Sequence, residues 1–451
     1  MKTSLAILVG KLAIIGCKLL AFTKKGAGSV TPGHLANKIK PDLLEQLHYP
    51  RIIVAVTGSS GKGSTTAMIN HILTVNNYKV AYNKSGSNLK AGATTAILAK
   101  TGIFSKKVKA DVLLLECDES YIDQIFPKTK PTHLVITNIT RDQPARNGTP
   151  YVIYDKILKQ IDKSTTLVLN VDDPIVNRFR YDTECNVVSY GIDKYETDTK
   201  KPISNTLDQA YCPICGKKLK YDFYHYGHIG SYACPKGDFT RNPVNYVAKD
   251  INLDKRYMTI NNHIAKLDKN AFFACYYTLA AYALCNSIGL SNQDIQYAIN
   301  DKSKESKRGH IYYMGKRMIE LAESKNENCL SYLQTINHIL DTKGTKTIVM
   351  GFDNVSRRYK FNDLSWLYDV DFEKLNDPDI DKIFCIGRFK YDVYARLLHA
   401  GIDKKKLIIQ EDMKTIIKDI KEQSKGSVFT MLCFDKTEEF KKLLEKSLWK
   451  K

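Results

Sequence analysis

Tryptophan is nearly absent, with 2 in 451 residues, and proline and glycine are sparse at 13 and 25, which excludes collagen-like repeats and any long flexible tract. Acid is the minority charge: 48 Asp+Glu against 68 Lys+Arg leave a formal charge of +20. The chain is nonetheless not disordered, since 43% hydrophobic and 10% aromatic residues supply enough apolar surface to offset the entropy of folding. Its length allows two or three domains, each with its own core. The lysines are spread along the chain, and a distributed surplus is no sign of a nucleic-acid partner. A cleavable secretory signal is missing, and the 11 cysteines are an odd number, with Cys117, Cys275, Cys285, Cys385 and Cys433 alone in apolar runs. A reducing, cytoplasmic compartment is the expectation.

Uninterrupted apolar runs of membrane-spanning length are missing too. The stretch from Leu5 to Phe22 comes nearest, but Lys11 and Lys18 break it, two helical turns apart on one face. Three readings stand: a helix that packs on the body, an amphipathic helix resting at a membrane surface, and a true span, which wants about twenty unbroken apolar residues. Lys24, Lys25, Lys38 and Lys40 follow closely. Such a patch suits an anionic inner membrane face or a phosphate-bearing lipid, and equally fits a chain that simply uses lysine freely.

From residue 50 short β-branched or leucine runs alternate with segments of helical spacing. The candidate strands are 52–56, 79–83, 111–116, 133–137, 166–170 and 187–190. A second alternating block has candidates at 347–350, 382–386, 407–410 and 428–432. Alternation of this kind implies α/β architecture, a parallel sheet covered by helices. The expected organisation is a lead-in with an amphipathic helix (1–48), a central domain (49–305) carrying a cysteine-rich insertion (206–245), and a second, Rossmann-like α/β domain (306–451).

The strongest chemical signal is Thr57-Gly58-Ser59-Ser60-Gly61-Lys62-Gly63-Ser64-Thr65, directly after the strand 52–56 and opening a helix. Glycine-rich turns of this kind let backbone N–H groups approach phosphate oxygens. The helix N-terminus adds its positive end, and Lys62 neutralises β/γ charge. The spacing is one residue short of the usual phosphate-binding loop, and Gly63 separates Lys62 from Ser64. A nucleotide-bound Mg²⁺ needs oxygen donors. Ser64 or Thr65 and Glu116, at the carboxyl end of the strand 111–116, are the candidates. Asp118 and Glu119 read better as an acidic helix start.

Cys212-Pro213-Ile214-Cys215, eighteen residues, then Cys234-Pro235-Lys236-Gly237 has the spacing of a thiolate zinc ribbon, except that the fourth position is Gly237. Asp238, His225 or His228 could complete the set, though none sits in the expected place. A metal-free remnant held by Tyr221, Phe223, Tyr224 and Tyr226 is the other reading.

The loop, Glu116, Thr137-Asn138-Ile139, Asn170-Val171-Asp172-Asp173-Pro174 and Tyr190-Gly191-Ile192 together resemble the Mur ligase superfamily, which includes folylpolyglutamate synthases. Within it the chain looks most like the ATP-using subunits of lipid II isoglutaminyl synthases. The subgroup features are the apolar N-terminal helix, the spacing Asn83 to Asn88, Arg141-Asp142-Gln143, the cysteine insertion, and Asp363-Leu364-Ser365-Trp366 with Asp369. The resemblance implies an ATP- and Mg²⁺-dependent ligase with structural Zn²⁺. Such a ligase amidates the D-Glu α-carboxylate of the lipid II stem peptide through an acyl phosphate, using ammonia from a GatD-type class I glutaminase partner. It implies nucleotide contacts at residues 58–65 and from Asn83 and Asn88. It also gives Asp363 a role in supporting the partner's catalytic Cys and His, where an ordinary helix cap is the alternative.

Four segments depart from the family pattern. Phe273-Ala274-Cys275-Tyr276-Tyr277 lacks two expected asparagines, and Gly309-His310 replaces Gly-Arg. Ala322 to Glu327 replaces a Lys-Asn-Pro segment, and Pro144-Ala145-Arg146 follows Gln143. A catalytically weakened relative acting as a nucleotide-binding scaffold is therefore a second expectation. A free-standing ligase of the folylpolyglutamate type is a third.

Overall fold

The apolar runs that bound the phosphate-loop motif form one twisted parallel sheet in a computed structural model, which describes residues 2–21, 30–83, 87–103, 105–202, 207–301, 310–322, 328–355 and 362–448. Lys24, Lys25, Gly309, the segment 323–327 and the middle of the segment from Asn83 to Asn88 lie outside the described residues. The strands are β1 (Ile52–Thr57), β2 (Val80–Tyr82), β3 (Val112–Glu116), β4 (His133–Ile136), β5 (Thr166–Asn170) and β6 (Val187–Ile192). Their ends move by only a residue or two from the sequence expectation. Helices cover both faces, so Val54, Ala55, Val56, Leu113 to Leu115 and Leu167 to Leu169 are all buried, as parallel strands require.

Two antiparallel features extend this unit. A hairpin, β7 (Lys220–Tyr226) and β8 (Ile229–Ala233), belongs to the cysteine insertion. After it come β9 (Tyr246–Asn252), β10 (Tyr257–Ile260) and β11 (His263–Lys266), giving a nine-stranded order β11-β10-β9-β6-β5-β4-β1-β3-β2. The β10–β11 turn is Asn261-Asn262, both at positive φ (42° and 72°), a two-residue connection that suits asparagine.

The helix α1 (Lys2–Ala21) packs through Ala6, Ile7 and Gly10 on α2 (Thr31–Ile39) and α4 (Lys90–Lys100). A Cβ at Gly10 would lie 2.5 Å from Leu98 Cδ1, so glycine permits this close approach. On the opposite face Leu5, Leu12, Ile15 and Leu19 are more than half exposed, at 51%, 57%, 53% and 63%. By length and composition α1 could cross a membrane.

A second compact unit comprises residues 140–149, 204–206 and 305–451. Its sheet runs β12 (His310–Met314), β13 (Arg317–Leu321), β17 (Ser427–Leu432), β14 (Lys346–Gly351), β15 (Ile380–Ile386) and β16 (Leu407–Ile409), parallel except for the β12–β13 hairpin. Tyr332, Phe352, Trp366 and Phe372 fill its core. The α/β class with a second α/β unit is thus as the sequence implied.

Candidate functional site

Between β1 and α3 (Lys62–Val75) the chain turns through Gly58 to Gly61. Gly58 has φ +127°, and a Cβ there would meet Thr137 Oγ1 at 2.4 Å and Asn138 O at 2.7 Å. The inner arc hangs from that neighbouring turn. Ser59 N donates to Asn138 O (2.8 Å), Ser60 N to Asn138 Oδ1 (2.9 Å), and Thr137 Oγ1 to Ser60 O (2.7 Å). The amides of Ser59 and Ser60 are therefore spent within the protein. The outward donors are those of the α3 N-terminus, from the left-handed cap Gly61 through Lys62, Gly63 and Ser64, where a helix has no internal acceptors.

Lys62 reaches back over this turn: Nζ donates to Gly58 O and pairs with Glu119 Oε1 at 2.8 Å, with side-chain exposures of 8% and 4%. Glu119 was legible only as a helix start, and the structure makes it the counter-ion of the phosphate-loop lysine. Thr65 Oγ1 is buried without a hydrogen-bond partner among the described residues, and Ser64 is half-buried in the same first turn. A hydroxyl left unsatisfied beside a phosphate loop fits a Mg²⁺ or nucleotide oxygen site.

Glu116 ends β3 in register with Val56 of β1. Its N–H donates to Asn83 Oδ1 and its carbonyl accepts from Asn83 Nδ2, both at 2.8 Å, while Asn83 Nδ2 also reaches Ser87 O at 2.9 Å. Asn88 O accepts from Asp118 N at 3.0 Å. The two asparagines thus stitch their loop to the β3 end, and the Asn83 side chain is turned onto backbone. Glu116, Asp118 and Glu119 are all buried with Lys62, a carboxylate excess that favours a divalent cation. Burial, with Glu116 and Asp118 adding, pushes the Cys117 thiol far up, so it is inert.

In the insertion, Cys212, Cys215, Cys234 and Asp238 bring their ligand atoms within 4.8 Å of one another. Cys215 Sγ is 3.4 Å from Cys234 Sγ, and Asp238 Oδ1 is 3.5 Å from Cys212 Sγ and 3.8 Å from Cys215 Sγ. A tetrahedron of Zn–S bonds of about 2.3 Å has edges of about 3.8 Å, so the spacing fits the metal. Gly237, at φ +78°, turns the chain so that the next residue supplies the fourth group. The histidines are elsewhere: His225 Nδ1 lies 2.6 Å from Asp198 Oδ1, and His228 Nε2 lies 3.2 Å from Asp173 Oδ1.

Where two asparagines were expected stand Ala274 and Tyr277; Tyr277 OH donates to Asp268 Oδ1, and the preceding Tyr276 OH donates to Asp172 Oδ2 at 2.8 Å. In the second unit, Arg141 pairs with Asp369 at 2.6 Å and Asn328 Nδ2 donates to Asp142 Oδ1 at 2.9 Å. Asp363 Oδ1 accepts from Ser365 N at 2.9 Å, a local turn that leads into the buried Trp366.

Comparison with known proteins places these features. Residues 56–233 match the Mur ligase middle domain and residues 325–434 the MurT ligase C-terminal domain. The MurT subunit of lipid II isoglutaminyl synthase from Staphylococcus aureus (strain COL) is 29% identical over 389 residues, 86% of each chain. That from Streptococcus pneumoniae (strain ATCC BAA-255 / R6) is 28% identical over 451 residues, 98% of this chain and 97% of the other. Among solved structures, a pseudomurein peptide ligase type C from Methanothermus fervidus has a TM-score of 0.67 at 22% identity, covering 92% of this chain and 84% of its own. MurF from Acinetobacter baumannii has a TM-score of 0.64 at 15% identity, covering 92% and 80%.

Proposed function

This chain is a homologue of the MurT subunits, with a Mur ligase middle domain and a MurT ligase C-terminal domain, and from that kinship we propose that it is the ATP-consuming ligase subunit of a lipid II isoglutaminyl synthase. The observation that carries the reading is the loop from Thr57 to Thr65, with Lys62 buried between Gly58 O and Glu119 and an unsatisfied Thr65 hydroxyl beside it.

In this reading a D-Glu α-carboxylate oxygen of the stem peptide attacks the γ-phosphorus of ATP, and ADP departs with the bridging electron pair. Ammonia from a GatD-type glutaminase then adds to the acyl carbon. The tetrahedral adduct expels inorganic phosphate and loses a proton to leave the amide. The chain's residues position and neutralise rather than react covalently. Lys62 exchanges Glu119 for phosphate oxygens, the α3 amides from Gly61 onward cradle them, and Asn83 and Asn88 hold the adjoining loop. Ser64 or Thr65 with Glu116 would hold Mg²⁺, which when bound offsets charge on the transferring phosphoryl group. Cys212, Cys215, Cys234 and Asp238 would hold a structural Zn²⁺. Asp363, in the second unit, would support the partner's catalytic residues. The chain would work in the cytoplasm with α1 against the inner membrane face: its outer leucine stripe meets the bilayer while Lys11 and Lys18 meet anionic headgroups.

The deciding experiment combines the purified chain, a class I glutaminase subunit, ATP, glutamine and lipid II. Amidated stem peptide is the expected product. A second reading, a nucleotide-binding scaffold of weakened activity, is favoured by Ala274 and Tyr277, which stand where two amide side chains were expected, the Tyr277 hydroxyl being spent on Asp268. Mg-ATP binding without product would select it.

A further inference from the structure

The cysteine insertion reaches the phosphate loop through its hairpin tip. His228 sits in the turn between β7 and β8, with its side chain 4% exposed. The tip is tied to the segment after β5 at several points: Gly230 N donates to Asp172 O (2.9 Å), Tyr232 OH to Val171 O (3.0 Å), and His228 Nε2 lies 3.2 Å from Asp173 Oδ1. Tyr221 OH donates to His228 O at 2.8 Å, which holds the turn itself.

Asp173 is fully buried and points two ways. Oδ1 accepts from Ile175 N at 2.8 Å and Oδ2 accepts from Ile139 N at 2.7 Å. Ile139 is the last residue of the turn whose other two members, Thr137 and Asn138, carry the amides and carbonyl of Ser59 and Ser60. An unbroken series of contacts, buried as far as the turn and partly buried at Ser60, therefore runs from hairpin tip to carboxylate, turn and phosphate loop, all within the first unit.

We propose that His228 is a positioning residue for nucleotide binding: by clamping Asp173, whose other carboxylate oxygen holds Ile139 N, it sets the 137–139 turn, and through it the shape of the phosphate loop. The inserted module then acts on the ligase site as a brace rather than as an independent appendage. This rests on the reading of residues 57–65 as the nucleotide loop.

The test is calorimetry of Mg-ATP with the full chain carrying His228→Phe or His228→Gln. Loss of the buried charge-assisted hydrogen bond to Asp173 predicts binding about tenfold weaker for His228→Phe, with most affinity recovered in His228→Gln, whose amide can still donate to Asp173. Equal affinity in His228→Phe and wild type, with native circular dichroism, overturns the proposal. If His228→Phe does not fold, the wild type still decides. Coupling is reciprocal, so Mg-ATP must slow amide exchange at residues 226–230 as well as at 58–63. Protection confined to the loop overturns the clamp. Lys62→Ala separates the two readings: wild type that binds no Mg-ATP removes the nucleotide loop itself, whereas wild type that binds, Lys62→Ala that does not and an unaffected His228→Phe remove only the clamp.

Discussion

Lys62 Nζ and Glu119 Oε1 are 2.8 Å apart with both side chains nearly withdrawn from solvent, so any phosphate entering the loop competes with a carboxylate for the same ammonium. Removing one member of a buried pair strands the other, at a cost of about 3–5 kcal/mol. Lys62→Met is expected to abolish Mg-ATP binding and to lower the melting temperature. Glu119→Gln is expected to lower the melting temperature too, yet to bind nucleotide a few-fold more tightly, because the competitor is gone. Titration calorimetry beside thermal melts reads both, and weaker nucleotide binding in Glu119→Gln removes Glu119 from the role of competitor.

The thiolate cluster predicts about one zinc per chain, since three sulfurs and a carboxylate make a closed four-ligand set. Cys212→Ser should lose the metal, Asp238→Ala should weaken it, and Asp238→Cys should tighten it. Metal analysis of the pure proteins checks this. Equal, near-zero zinc in wild type and Cys212→Ser rejects the site.

His228 yields a pH dependence. Burial pulls its pKa down, but the Asp173 carboxylate, with the charge of Asp208 and the Ile139 backbone adding, outweighs burial and raises it above the ordinary 6.5. A raised folded-state value means that the stabilisation is complete below about pH 6.5 and drains as pH climbs through the folded value. The melting-temperature gap between wild type and His228→Gln should therefore be widest on the acid side and close with rising pH. A gap that widens with pH contradicts it.

Among the described residues Asp363 has one short-range bond, to Ser365 N. Asp363→Asn preserves that acceptor oxygen while removing the charge. Glutamine hydrolysis by a glutaminase complex should fall with Mg-ATP binding unchanged. If only the melting temperature of Asp363→Ala drops, by the equivalent of about 1 kcal/mol, the residue is a cap alone.

The outer stripe of α1 predicts binding to vesicles containing phosphatidylglycerol and little binding to neutral ones. Leu12→Glu with Ile15→Glu should leave the chain in the supernatant after sedimentation, since these side chains lie on the face away from α2 and α4. Unchanged sedimentation shows that the stripe faces something other than lipid.

The strands β1 and β3 to β5 were legible because a strand buried on both faces is a continuous apolar run, and such runs stood out between helical segments. The phosphate loop was legible because its chemistry is local: glycine, lysine and hydroxyl within nine consecutive residues. The turn Asn261-Asn262 carries an equally local hairpin signal, two asparagines at positive φ. The fourth member of the cysteine set was open in the sequence among Asp238, His225 and His228, because spacing alone cannot anticipate that Gly237 turns left-handed and aims Asp238 at the sulfurs.

What the chain alone determined, then, was everything written in neighbouring residues: the α/β class, the loop that meets phosphate, the cysteine knuckles and the kinship that these imply. The tertiary structure decided which distant groups face one another. Glu119 lies 57 residues from Lys62, His228 lies 55 from Asp173, and Asn328 lies 186 from Asp142. Those pairings follow from strand order and from where the insertion folds back. Buried charges and amides take as partner whatever the fold brings within about 3 Å, since leaving them unpaired costs more than any local preference supplies.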